Sequence, residues 1–279
     1  MTWTVARVGF APIKGTRHRE LPEVVLTKSG PVGDRRFCLV DPVRRRALRT
    51  VETPQLVAVT VDWRDPELSC TFPDGSRVDE AVMVDEQSIE FDYWGRQVSG
   101  RRVTGPWAAA FGRYLGAEVE LVACAPGDVV FGDSLSLITT GSLAALSTLI
   151  GRSIDPARLR ATAVVDDHAE GRTLTDPVES DWIGRQLTIG TATVRVTGPI
   201  ARCAVIDIHP VTGERDGNLL RTLARAARTG EQFLDPIFGV QATVMQPGLL
   251  RPGDRAALIE ADTTVTGAAA REAANKSPR

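Results

Sequence analysis

Cys203 is the residue whose type and setting best suit chemistry. It follows Arg202 directly, beyond the Gly198-Pro199 turn, and opens the apolar run AVIDI. Thiolate is the nucleophilic and metal-binding form of cysteine, and a guanidinium beside it favours that form. The competing reading is a buried strand cysteine, because free cysteine behaves as a small hydrophobe. Cys38, Cys70 and Cys124 sit inside plain strand patterns and take that second reading. The four cysteines are far apart and form no CxxC, so neither a disulfide framework nor a zinc knuckle is expected.

A second group could hold an anion. Lys14, the Gly33-Asp34-Arg35-Arg36 turn, Arg49, Arg160 and Arg202 stand at strand ends or turns, and Gly141-Ser142 stands at a helix start. Guanidinium forks and helix N-termini both match phosphate geometry. Singly, each of these reads as a surface ion pair. Only their convergence would make a site. Lys14 gains weight because just three of the 33 basic residues are lysines, the others being Lys28 and Lys276. His18, His168 and His209 lack metal-ligand spacing, so a histidine-based zinc or iron site is not expected. TTGSLA is not the GxSxG elbow of a serine hydrolase. Glu179 and Asp181 could form an acid/base pair or simply line a loop.

The elements that must position these residues are mostly strands. TWTVARVGF alternates, VVLTKSGPVGDRRFCLVD gives two apolar runs about a turn, and LVAVTVDW is β-branched. SCTFPDGSRV reads as a hairpin turning at Pro73-Asp74-Gly75. PWAAAFGRYLG reads as a helix with Trp107, Phe111 and Leu115 on one face and Gly116 as its stop. Near Ala125 a second block begins. SLSLITT runs into a helix capped by Ser142, and LRATAVVD is a strand followed by a polar loop from Asp166 to Asp176. Strands punctuated by Gly190 follow, then an amphipathic helix ending at Gly230 and two strands about a Pro-Gly turn.

Composition narrows the function classes. The 33 Lys+Arg against 35 Asp+Glu leave a net charge of −2, which argues against a protein that grips nucleic acid or an anionic membrane. With 43% hydrophobic and 24% charged residues the chain is an ordinary globule. No apolar run approaches the roughly 18–20 residues of a membrane helix. The start, MTWTVARVGFAPIKG, lacks a secretory leader, and a cytoplasmic protein is expected. Rossmann and Walker glycine motifs are absent.

Several segments, taken in order, resemble one family. APIKG, GPVGDRRFCLVD, LRTVETPQL, DYWGRQVSG and PWAAAFGRYLGAEVELV are similar to the N-terminal β-barrel that accompanies MOSC domains. LITTGSLAAL, LRATAVVDD, ESDWIGRQLTIG, PIARCAVIDIHPVTGERDGNLLRTL and FGVQATVMQPGLLRPGD resemble the MOSC domain itself, the C-terminal part of molybdenum-cofactor sulfurases. From Trp3 to Glu260 the arrangement most resembles the mitochondrial amidoxime-reducing component and its bacterial relatives. The resemblance implies a mainly β (α+β) fold of two β-barrel-like domains with a few peripheral helices. Residues 1–122 would form the first barrel, 123–262 the MOSC domain and 263–279 a flexible tail.

It also implies a molybdenum cofactor (molybdopterin) between the barrels, its metal held by the cofactor's dithiolene sulfurs and one cysteine at the position of Cys203. Cofactor binding carries over to Lys14, Arg35, Thr140, Gly141, Ser142, Arg160 and Arg202. The implied activity is reduction of N-hydroxylated or N-oxide-type small molecules, substrate oxygen passing to the reduced metal. A separate flavin, iron–sulfur or haem protein would supply electrons. This chain departs from the family in having Arg160-Ala161-Thr162 where Arg-x-Asn is usual, and Glu179-Ser180-Asp181-Trp182 where a Glu-Asp pair precedes Trp. Three alternatives remain: a cofactor carrier without turnover, a divergent enzyme that has lost molybdenum, and a plain binding module.

Overall fold

The computed structural model describes residues 2–167, 174, 176–226 and 236–259. His168, the helix end expected at Gly230 and the tail 263–279 lie outside the described residues. Strands dominate, joined by three α-helices among the described residues, and the architecture is mainly β with two closed barrels.

The smaller barrel has five strands. Met83–Tyr93 pairs with Arg96–Thr104, which pairs with Glu120–Cys124, then Phe37–Asp41 and Arg46–Ala47, whose Arg46 returns to Asp92. A three-stranded sheet, Thr60–Arg64, Glu67–Thr71 and Arg77–Ala81, packs beside it. Its second connection is the expected turn, with Asp74 accepting from the Ser76 amide at 2.9 Å. The helix Trp107–Leu115 ends at Gly116 as expected and buries Trp107 and Phe111 against Phe72, Leu121 and Leu68.

The larger barrel joins Leu135–Thr139, Ala163–Asp166, Gln186–Ile189, Ala192–Ala201, Ile237–Gln246 and Arg255–Leu258. Its seventh strand is Thr2–Phe10, which lies between Arg255–Leu258 and Ala163–Asp166 and closes the ring. The chain's first strand therefore belongs to the second barrel, not to the first as the sequence reading placed it. Trp3 and Val5 alternate inward as expected, but a bulge between Val5 and Arg7 shifts the phase so that Val8 also turns inward, and all three pack with Trp182, Leu187 and Val194. Alternation reveals that a segment is a half-buried strand and says nothing of which sheet it joins.

The helix Thr140–Ile150 differs slightly from expectation. Thr139, not Ser142, is its N-cap, accepting from the Ser142 amide at 3.1 Å. Ser142 lies one turn in, where its hydroxyl meets a buried carboxylate. No helix among the described residues is long and apolar enough to cross a membrane.

Candidate functional site

Where the two barrels meet, the chain crosses from one to the other. Thr2–Phe10 ends in the larger barrel, and Ala11–Lys14 then zips against 35–37: Arg35 N–H donates to Ala11 O at 2.9 Å and Lys14 N–H to Phe37 O at 2.8 Å. That ladder sets Lys14 beside Arg35 and Cys38. Arg35 takes a left-handed φ of 46°, just beyond Gly33, and pairs with the buried Asp34. Arg160 also sits at a left-handed φ, 50°, at the end of the 3₁₀ turn Pro156–Leu159. It reaches across the seam to donate to Thr16 O at 2.8 Å.

These cations feel one another. Burial, with the charges of Arg35 and Arg160, lowers the Lys14 ammonium to about 8, and Cys203 lies within the same electrostatic reach. Burial and Arg35 bring Arg160 down to about 10. Such a gathering of positive charge is costly unless something negative joins it.

Cys203 stands in extended conformation at the head of the 3₁₀ turn Ala204–Asp207 and is exposed, whereas Cys38, Cys70 and Cys124 are buried. Tyr93, at the end of a first-barrel strand, senses both Cys203 and Arg35, and its ring lies 5.4 Å from Lys14 Nζ. Arg202 turns inward: Nε donates to Phe238 O at 2.7 Å and Nη1 to Leu159 O at 2.8 Å. Gly239 makes room for it, since a Cβ there, at φ 75°, would lie 3.2 Å from Arg202 Nη2 and 2.5 Å from Ile138. Burial brings Arg202 to about 10, with Cys203 and Glu179 opposing the fall.

Two buried donor atoms in this group have no acceptor, Arg160 Nη2 and Arg202 Nη2. Buried N–H groups are almost always paired, so orphaned ones mark where a ligand or water completes the structure. His18, expected only as an unlikely metal ligand, lies buried beside Arg160 and Arg35 with both ring nitrogens unpartnered. Burial and those arginines hold it well below the usual histidine range.

The Thr140-Gly141-Ser142 turn joins the group through Glu179, which is 1% exposed. Glu179 accepts from Ser142 Oγ at 2.6 Å and Thr139 Oγ1 at 2.8 Å, and burial pushes its carboxyl upward. Asp181, by contrast, is on the surface. The amide of Gly141 is already taken by Asp167 Oδ1 at 2.9 Å. Sequence reasoning missed Tyr93 and Asp167, counted Asp34 only as part of an anion-binding turn and weighed His18 only as a metal ligand. Only the Asp166-Asp167 pair at a strand end carried a signal, and it read as a polar loop.

Other expected residues stand apart. Arg36 braces the first barrel by donating to Cys124 O, and Arg49 stacks on Trp94 at 4.2 Å. Thr162, where the resemblance implies an Asn, exchanges hydrogen bonds with Ser136 at 3.1 and 3.3 Å. Among the described residues no three His, Cys, Asp or Glu side chains cluster to hold a metal by themselves.

Comparison with known proteins gives the family, although the N-terminal match takes in the first strand, which closes the larger barrel. No curated protein matches significantly. Among solved structures, the YuaD protein of Bacillus subtilis is 12% identical, covers 92% of this chain and 94% of its own, and has a TM-score of 0.43. YiiM of Geobacillus stearothermophilus is 18% identical over 46% of this chain and 54% of its own, at a TM-score of 0.33. The model of the MOSC N-terminal beta barrel domain matches residues 2–118, and that of the MOSC domain matches residues 108–257. With both models matched in order across the two barrels, the chain belongs to the MOSC-domain family.

Proposed function

We propose that the protein is a molybdenum-cofactor-dependent reductase of N-hydroxylated or N-oxide-type small molecules. The observation that carries this reading is Cys203: the one exposed cysteine, set at the seam beside Arg202, Lys14 and Tyr93. A soft thiolate suits a redox metal whose remaining ligands come from the cofactor. The donor set fits the cofactor's anionic parts, for Arg160 Nη2 and Arg202 Nη2 are buried N–H groups without acceptors.

When bound, the cofactor would supply the redox chemistry and the protein its orientation and field. Cys203 would hold the metal. Lys14, Arg35, Arg160 and Arg202 would neutralise phosphate and steady the pterin, joined by Thr140, Gly141 and Ser142. Glu179, raised by burial and bonded to two hydroxyls, would keep the helix start and Arg202 in register, while its seclusion removes it from direct contact with substrate. Electrons would arrive from a separate protein.

The test is metal analysis of protein made in a cofactor-competent host, wild type beside Cys203→Ala. Near-stoichiometric molybdenum that the variant loses is the expected result. Metal-free wild type ends the proposal. If cofactor binds yet an amidoxime and an artificial reductant give no turnover, the carrier reading replaces it.

A further inference from the structure

We propose that Asp167 occupies the place of a phosphate group at the head of the helix Thr140–Ile150, and so sets how tightly the site takes phosphate-bearing ligands. The inference rests on the preceding reading only in that the ligand carries phosphate. It involves neither the metal nor Cys203.

The contacts at that helix head are unusual for a simple cap. Thr139 already caps the Ser142 amide, which is the ordinary arrangement. Asp167 is then a second acceptor. Its Oδ1 receives the Gly141 amide at 2.9 Å and the Thr140 hydroxyl at 3.1 Å, the latter shared with Asp166. Its Oδ2 is buried and meets no partner, in a residue only 8% exposed. An unmet buried polar atom costs on the order of 1–3 kcal/mol, and a carboxylate present only to cap a helix would leave that oxygen in water.

Gly141 shows how closely the carboxylate is seated. A Cβ at that position would lie 2.6 Å from Asp167 Oδ2, so only glycine leaves the space it fills. Beside it sits a second buried carboxylate, Glu179, whose charge and that of Asp167 oppose one another. Two acidic groups thus crowd one helix head, and Arg202, which keeps a buried donor without an acceptor, feels the charge of Glu179. A phosphate, with three acceptor oxygens and a charge of about −1.5 to −2, matches the helix-head donors that Asp167 now holds. Its entry would release Asp167 to solvent in a simple exchange of anions, with no covalent bond made or broken.

The probe is inorganic pyrophosphate, titrated calorimetrically into protein purified from a host that makes no cofactor, at low ionic strength and pH 7. Wild type is compared with Asp167→Asn, which keeps an acceptor for Gly141, with Asp167→Gly, and with Glu86→Gln as a control for net charge. Both Asp167 variants should bind at least about tenfold more tightly, equivalent to about 1.4 kcal/mol. Their thermal midpoints should rise more on adding pyrophosphate than that of wild type. Glu86→Gln should behave as wild type. Equal or weaker binding by both Asp167 variants, or no binding by any of the proteins, overturns the proposal. Because no metal is present, failure here leaves the molybdenum experiment to be decided separately.

Discussion

Replacing Lys14 by methionine should make the ligand-free protein more stable at neutral pH. The drop of the Lys14 ammonium from 10.5 to about 8 is caused first by burial and then by Arg35 and Arg160. At about 1.4 kcal/mol per pH unit, the charged side chain is roughly 3 kcal/mol less at ease in the fold than in the unfolded chain. Methionine keeps the packed stem and removes the charge. It forfeits the long contact from Nζ to Leu48 O at 3.4 Å and the Tyr93 ring contact, so the net gain should be about 1–3 kcal/mol.

The pH dependence separates this cause from mere repacking. A lysine whose folded value lies below its unfolded one is fully destabilising below about 8, and the penalty fades as pH rises toward 10.5. Over that window the unfolded chain binds the extra proton, so wild-type stability climbs. The advantage of Lys14→Met should therefore shrink by about 2 kcal/mol between pH 7 and pH 9.5. Urea unfolding of both proteins at the two pH values measures it, and comparing the pair cancels other alkaline titrations. A variant less stable than wild type at pH 7, or a gap that does not change with pH, would refute the reasoning. Pyrophosphate binding at pH 7 should weaken in the same variant, the sign of a charge kept for a ligand at the expense of the fold.

Two further substitutions test the surroundings. His18 is neutral in the fold and held well below its usual value, so the unfolded chain alone takes up its proton as pH falls past about 6.5. Wild type should lose stability there at up to about 1.4 kcal/mol per pH unit from this residue, and His18→Leu should flatten that slope between pH 7 and 5.5 in urea unfolding. Arg158, with a side chain 5% exposed, is paired with Asp216. Asp216→Ala strands the guanidinium and should cost about 2–3 kcal/mol, whereas Arg158→Met should cost less; the reverse order in thermal unfolding would contradict the asymmetry.

Much of the fold was legible because its cues are local. Asp74-Gly75, Gly116 and the spacing of Trp107 and Phe111 each fix a turn or a face within a few residues. Closure of the larger barrel by Thr2–Phe10 was not legible, for the pairing partner lies some 160 residues away, at Ala163–Asp166. The same divide runs through the site. Arg202-Cys203 announced itself as an adjacent pair, and Cys203 is the exposed cysteine. Asp167, His18 and Tyr93 gained meaning only from what packs on them, and no residue next to them in sequence reports that.

The crossing of the chain explains why the cations can be held together at all. Gly9 donates to Thr162 O at 3.0 Å, two residues from Arg160 in the larger barrel. Five residues later Lys14 is locked to Phe37 of the smaller barrel. A short segment bonded at both ends thus fixes the separation of Lys14 and Arg160. Arg17 adds to it by donating to Ala58 O at 3.1 Å and Val211 O at 2.8 Å, one from each side of the seam. Had the first strand stayed in the first barrel, mutual repulsion among Lys14, Arg35 and Arg160 could have been relieved by sliding the domains apart. Threaded as it is, the seam has no such escape, Asp34 offsets only part of the repulsion, and a bound anion would relieve the rest.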